Sequence, residues 1–151
     1  MHSLVRRYIK TAIAFLLVGL VIGGWMLVRR ELWLLAPTSY EVSAHTHALL
    51  VGFVMMMILG VALWLFPRPE RDDARYRPAL AGAAYWLVTL GTAGRVAGEL
   101  LRPAVPALWL RWVVVLCGVA QIAGIALFFH TMWSRIRGVG SQVREAKGER
   151  F

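Results

Sequence analysis

Residues 43–53 read SAHTHALLVGF, and they open an apolar run that carries no charge before Arg68. A neutral imidazole still has one donor and one acceptor to satisfy, and hydrocarbon offers a partner to neither. The run from Ala44 to Phe66 is long enough to cross a bilayer, which takes about 20 helical residues. This stretch decides the fold: it is a membrane-spanning helix whose mouth is marked by His45 and His47.

The rest of the chain agrees. Its 151 residues are 59% hydrophobic, and its mean hydropathy is +0.62. A soluble domain of this length is less apolar. Four apolar runs, at about 11–28, 44–66, 79–101 and 110–133, predict an all-α integral membrane protein. The architecture is a four-transmembrane-helix bundle forming one membrane domain over residues 1–151, with a solvated cytoplasmic tail over 134–151. Pro67, Pro69 and Pro78 bracket the loop PRPERDDARYRP, and Pro103 and Pro106 bracket the last loop, as helix-stopping residues should. ELWLLAPTSYE, after the first run, is amphiphilic and is expected along the membrane interface. The first run is preceded by basic residues, like a signal peptide. Its apolar core is long, and Arg29 and Arg30 follow it without a small-residue cleavage site, so it reads as a retained helix. The lone Cys117 excludes an intrachain disulfide or a cysteine-based metal cluster within one chain.

The formal charge of +9 does not point to nucleic acid, because the basic residues sit between apolar runs and in the tail. Arg6, Arg7, Lys10, Arg68, Arg71, Arg75, Arg77, Arg135, Arg137, Arg144, Lys147 and Arg150 fall on one side of the membrane, twelve in all. Arg29, Arg30, Arg102 and Arg111 fall on the other, and Arg95 lies within the third run. The positive-inside bias then puts both termini in the cytoplasm of a bacterial inner membrane, with His45 and His47 near the periplasmic face.

The two-residue spacing is the informative part of AHTH. On an α-helix, residues i and i+2 differ by about 200° in direction and about 3 Å in height. The two rings point to nearly opposite faces and cannot easily share one metal ion, unlike an i,i+4 pair. His130 would lie about 30 Å deeper, at about 1.5 Å per residue along the fourth run. It cannot complete a site with either. His2 reads as an interfacial residue.

A metal with two axial imidazoles therefore needs a histidine from a second copy. That reasoning leads to a haem b between the second helices of adjacent copies, with His45 of one and His47 of the next as axial ligands. A head-to-tail contact of this kind closes only as a ring. Gly52 and Gly60 would admit a flat macrocycle or a neighbouring helix. Phe53, Met55, Met56, Met57, Trp64 and Phe66 would form an apolar wall, although ordinary helix packing accounts for the same residues.

The segment AHTHALLVGFVMMMILGVALWLFP resembles the haem-ligating helix of the large subunit of haem-copper oxidases, including their nitric oxide reductase and cbb3-type relatives. The match lies in Ala44, His45, His47, Gly52, Gly60, Trp64, Phe66 and Pro67. The resemblance implies that His45 holds a high-spin haem and His47 a low-spin one. That large subunit is built of three four-helix arcs, so a chain resembling one arc implies a homotrimer. The further histidines and the tyrosine or glutamate of a two-metal centre are not present as a set, since only His130 follows His47. Oxygen or nitric oxide reduction at such a centre is not expected.

Arg95 and Glu99, four apart on the third helix, either pair with each other or serve the site. Arg95, Arg102 and Arg111, in that order, are the expected partners of haem propionates. Tyr40 and Glu41 are placed to orient a histidine ring through its free nitrogen. Gln121 is expected to bond across helices. The tail GVGSQVREAKGERF reads as a solvated extension with affinity for lipid headgroups.

The sequence thus reads as a bis-histidine membrane cytochrome for electron transfer, redox or gas sensing, or haem handling, with a respiratory-chain partner in view. Two rivals remain. One is a haem-free assembly or scaffold factor for a respiratory complex. The other is a copper or zinc protein that assembles its site from histidines of several copies.

Overall fold

The computed structural model describes residues 3–67 and 77–136, with Val143, Lys147 and Gly148. His2, most of the loop after Pro67 with Arg68, Arg71 and Arg75, and most of the tail lie outside the described residues. All the regular structure described is helical. Helix α1 spans Ser3–Leu32, α2 spans Ser39–Leu65, α3 spans Pro78–Leu101, and α4 spans Leu108–Met132. A short 3-10 turn, Trp133–Arg135, follows α4. Three of these helices, α1, α2 and α4 with its 3-10 turn, are long and apolar enough to cross a membrane. The 24 residues of α3 are of similar length, and Arg95 and Glu99 interrupt their apolar run.

Local chemistry sets the boundaries. Thr38 caps α2: its hydroxyl accepts from the Glu41 amide at 3.2 Å, and its own amide donates to Glu41 Oε2 at 2.7 Å. This capping box satisfies two donors that a helix start otherwise leaves open. Pro78 opens α3, where a missing amide hydrogen costs nothing. Residues 33–38 connect α1 to α2 without helix, and Leu32, Trp33, Leu34 and Leu35 are exposed along that connection.

The helices run antiparallel, and each packs mainly on its neighbours in sequence. Glycines let the backbones close. A Cβ added at Gly60 would stand 2.9 Å from Tyr8 of α1, and one at Gly98 would stand 2.7 Å from Val114 of α4. All four helices meet around Tyr8, Met56, Leu59, Tyr85 and Phe128, at the end that holds Ser3 and Met132. A smaller cluster, Ile22, Ala44, Ala48 and Val96, joins only α1, α2 and α3 towards the other end.

Arg135 was expected in the solvated tail, but it is only 5% exposed. Its guanidinium donates to the carbonyls of Leu63, Phe66 and Pro67 at 2.7–3.2 Å. Those carbonyls end α2 and have no helical partner, so a forked donor from α4 closes that terminus.

Candidate functional site

At the opposite end, α2 departs from α-helical geometry. From His47 to Met55 it is a π-helix, a form that is rare and collects at functional sites. Two side-chain bonds lie where the step changes. Thr46 donates its hydroxyl to the Val42 carbonyl at 2.8 Å, and the His47 ring takes the Ser43 carbonyl at 2.9 Å. Side chains that take carbonyls of the preceding turn compete with the backbone ladder. The uniform α geometry expected through the apolar wall therefore fails between His47 and Met55 and returns from Met56 to Leu65.

The two imidazoles go to different neighbours. His45 Nδ1 lies 2.9 Å from the Gly19 carbonyl of α1. Its ring fills the notch left by Gly23, where an added Cβ would stand 2.7 Å from Cε1. His47 Nδ1 lies 2.9 Å from the Ser43 carbonyl and 3.4 Å from Ser43 Oγ. A carbonyl can only accept, so each Nδ1 carries a hydrogen, and in the neutral ring that leaves the lone pair on Nε2. Among the described residues, neither Nε2 has a hydrogen-bond partner.

A polar chain runs from His47 across the bundle. Ser43 Oγ donates to Glu99 Oε1 of α3 at 2.8 Å. Arg95 Nε donates to the same oxygen at 3.0 Å, and Arg95 Nη1 reaches Gln121 of α4 at 3.4 Å. Gln121 Nε2 in turn donates to Thr92 at 3.0 Å, the cross-helix role expected of it. Glu99 is only 4% exposed, and its Oε2 is buried without a partner among the described residues.

Beside this chain lies an open cleft of about 460 Å³, lined by Tyr40, Glu99, Arg102, Arg111 and Val114. Arg102 lies over the Tyr40 ring, 5.5 Å from its centre. Arg111 is exposed and has no polar partner among the described residues. Arg111 and Arg102 face the cleft, while Arg95 is already held by Glu99 and Gln121.

Other expected residues are also placed differently. Glu41 does not orient a histidine, because its carboxylate is taken by Thr38 and by an ion pair with Arg29. Tyr40 stacks with Arg102 and does not meet a ring. Met56 is 0% exposed in the core, so it packs inside its own chain and forms no outer wall. Gly52 is buried against Phe15 of α1, where the close approach is that of a helix. Phe53 is partly buried and packs on the same core. His130 is exposed in the last turn of α4, at the far end of the bundle. No group of three or more histidine, cysteine, aspartate or glutamate side chains suited to a metal occurs among the described residues.

Sequence reading missed Ser43, Gly19 and Gly23. Ser43 stands one helical turn before His47, the spacing at which side chains meet. Gly19 and Gly23 form a small-xxx-small pair on α1, the pattern that lets helices approach. Compared with known proteins, the family model described as Cytochrome C and Quinol oxidase polypeptide I matches residues 3–146. Neither the curated proteins nor the solved structures give a match.

Proposed function

We infer the function of this chain from the premise that it belongs to the Cytochrome C and Quinol oxidase polypeptide I family, a family of haem-binding membrane proteins. The chain is a bis-histidine membrane cytochrome that holds haem b between copies of itself in a homotrimer. It lies in a bacterial inner membrane, with α3 as a fourth span, both termini in the cytoplasm and the histidines towards the periplasm. One observation carries this reading. Each histidine spends its Nδ1 hydrogen on a backbone carbonyl and keeps Nε2 unspent. That tautomer, fixed from behind, is what an imidazole ligand requires.

The chain's own residues divide the work. His45 and His47 have different neighbours, so each serves a different site and a second copy supplies the other ligand. Arg102 and Arg111 would take the propionates in their cleft. A bound haem supplies one-electron chemistry. With His45 and His47 both holding it, a bound haem would have no position left for a substrate, which favours electron transfer, sensing or haem handling over reduction of a gas.

The test is the absorption spectrum of the protein purified from haem-replete membranes, oxidised and reduced. Sharp reduced α and β bands with a strong Soret band are expected. His47→Ala should abolish them and His130→Ala should not. A colourless protein would end this reading. One observation favours the haem-free scaffold instead: His45 pins α2 to α1 through the Gly19 carbonyl. Under that reading His45→Ala would lower stability in a protein that never carried colour.

A further inference from the structure

Both imidazoles donate to a carbonyl, but only one of them is backed by a charge. Behind His45 stands the neutral Gly19 carbonyl alone. Behind His47 stand the Ser43 carbonyl and Ser43 Oγ, and Ser43 Oγ gives its own hydrogen to Glu99 at 2.8 Å. We propose that Glu99, acting through Ser43, is the positioning residue that makes His47 the more strongly donating of the two histidines. The proposal rests on the haem reading for its consequence, although its geometry stands without haem.

Three features support it. First, Ser43 forgoes the ordinary habit of a helical serine. Such a side chain bonds the carbonyl one turn back, as Thr46 does with Val42. Ser43 reaches to another helix instead. Second, the direction of donation is fixed. A carboxylate only accepts, so the Ser43 hydroxyl must donate to Glu99, and its oxygen is left to accept from His47 Nδ1. The single Nδ1 hydrogen goes chiefly to the Ser43 carbonyl at 2.9 Å, with Ser43 Oγ at 3.4 Å as its second, weaker acceptor; through that second arm the chain runs from ring to hydroxyl to carboxylate, and a hydroxyl that donates to a carboxylate is a better acceptor. Third, Arg95 and Ser43 both donate to Glu99 Oε1, while Oε2 is buried without a partner among the described residues. A carboxylate kept for structure alone would be expected to fill both oxygens, so an open buried oxygen needs another explanation. Outer partners of this kind raise the donor strength of an imidazole.

The experiment compares Ser43→Ala, Glu99→Gln and the double variant in the haem-loaded protein by potentiometric titration of the absorption spectrum. Ser43→Ala keeps the carbonyl bond and cuts only the link, so the haem stays and its reduction potential rises. Glu99→Gln keeps the volume and removes the charge, and the potential rises by a comparable shift. The double variant should move no further than the larger single, because both act along one path. Unchanged potentials in both singles, or additive shifts, would overturn the proposal. If Glu99→Gln fails to fold, Ser43→Ala decides alone. A second readout is independent of haem. In ¹⁵N-histidine-labelled protein, the His47 Nδ1 proton resonance should move upfield in both variants while that of His45 stays put. A colourless protein whose His47 signal moves this way would end the haem reading and leave the positioning intact. A coloured protein with an unmoved His47 signal would do the reverse.

Discussion

The two ends of the bundle solve opposite problems. At the end holding Ser3 and Met132, Tyr8 meets Tyr85 and Phe128 edge to face, with ring centres 5.1 and 5.9 Å apart. The polar residue there, Arg135, is spent on three carbonyls. At the histidine end, aromatic closure gives way to a polar chain with groups that have no partner among the described residues: two Nε2 atoms, one oxygen of Glu99, and Arg111. The closed end has an unpartnered atom of its own, the Tyr8 hydroxyl, but that group is neutral. An uncharged hydroxyl costs far less to leave unpaired than a carboxylate oxygen. One end therefore holds the fold, and the other holds unspent bonding capacity at the cost of some stability.

The largest test of that contrast is Phe128→Ala. Phe128 is fully buried where all four helices meet. Burial of Phe in water-soluble cores is worth about 3–5 kcal/mol. Lipid removes most of the transfer contribution and leaves the packing loss, so about 3 kcal/mol is expected from unfolding in detergent. Arg135→Met comes next. It keeps the stem and strips the donors from the last carbonyls of α2. Hydrogen bonds to a charged donor are worth about 1.5–3 kcal/mol, and relief of the buried charge offsets part of that. A net loss of about 2 kcal/mol is expected. If either change bleached the protein while leaving its stability intact, the division between the ends would be wrong.

The helices were legible because hydrophobicity over about 20 residues is a strong signal. AHTH was legible as a pair with two destinations, since their divergence needs only the spacing. The registry between helices was not. Met56 and Gly52 belong to the apolar run whether they face a core or a cofactor, and only the partner helix decides which. Arg135 looked like tail because basic residues after a span usually are; its burial depends on where α2 ends. The π step was hidden as well. It begins where two side chains, Thr46 and His47, bond carbonyls of the preceding turn, contacts that composition cannot show. Glu41 was misassigned for a related reason: SxxE-like capping boxes and ring-orienting carboxylates use the same residue at the same place.

A smaller change addresses the histidine end alone. Gly23→Ala would put a Cβ 2.7 Å from His45 Cε1, which forces the ring aside and breaks its bond to Gly19. Overpacking costs about 1–3 kcal/mol and the lost hydrogen bond about 1. Because the ring can swing away, a net loss of about 1–2 kcal/mol is expected, with a changed haem spectrum. Leaving the spectrum untouched while stability falls would mark His45 as a helix pin only.

The smallest expected effect is the most discriminating. Arg102 already bonds the carbonyls of Val105 and Ala107 at 3.5 and 3.4 Å and covers Tyr40, so its removal disturbs a loop as well as a cleft. Arg111 has no such commitments among the described residues and lines the same cleft. A surface side chain with nothing to lose moves stability by less than about 0.5 kcal/mol when truncated. Arg111→Ala should therefore leave unfolding of the haem-free protein unchanged, yet speed the loss of haem from the loaded one. A cost above about 1 kcal/mol without haem would show that Arg111 serves the fold, as Arg135 does. The contrast between a closed end and an uncommitted one would then fail at the residue where it is drawn most sharply.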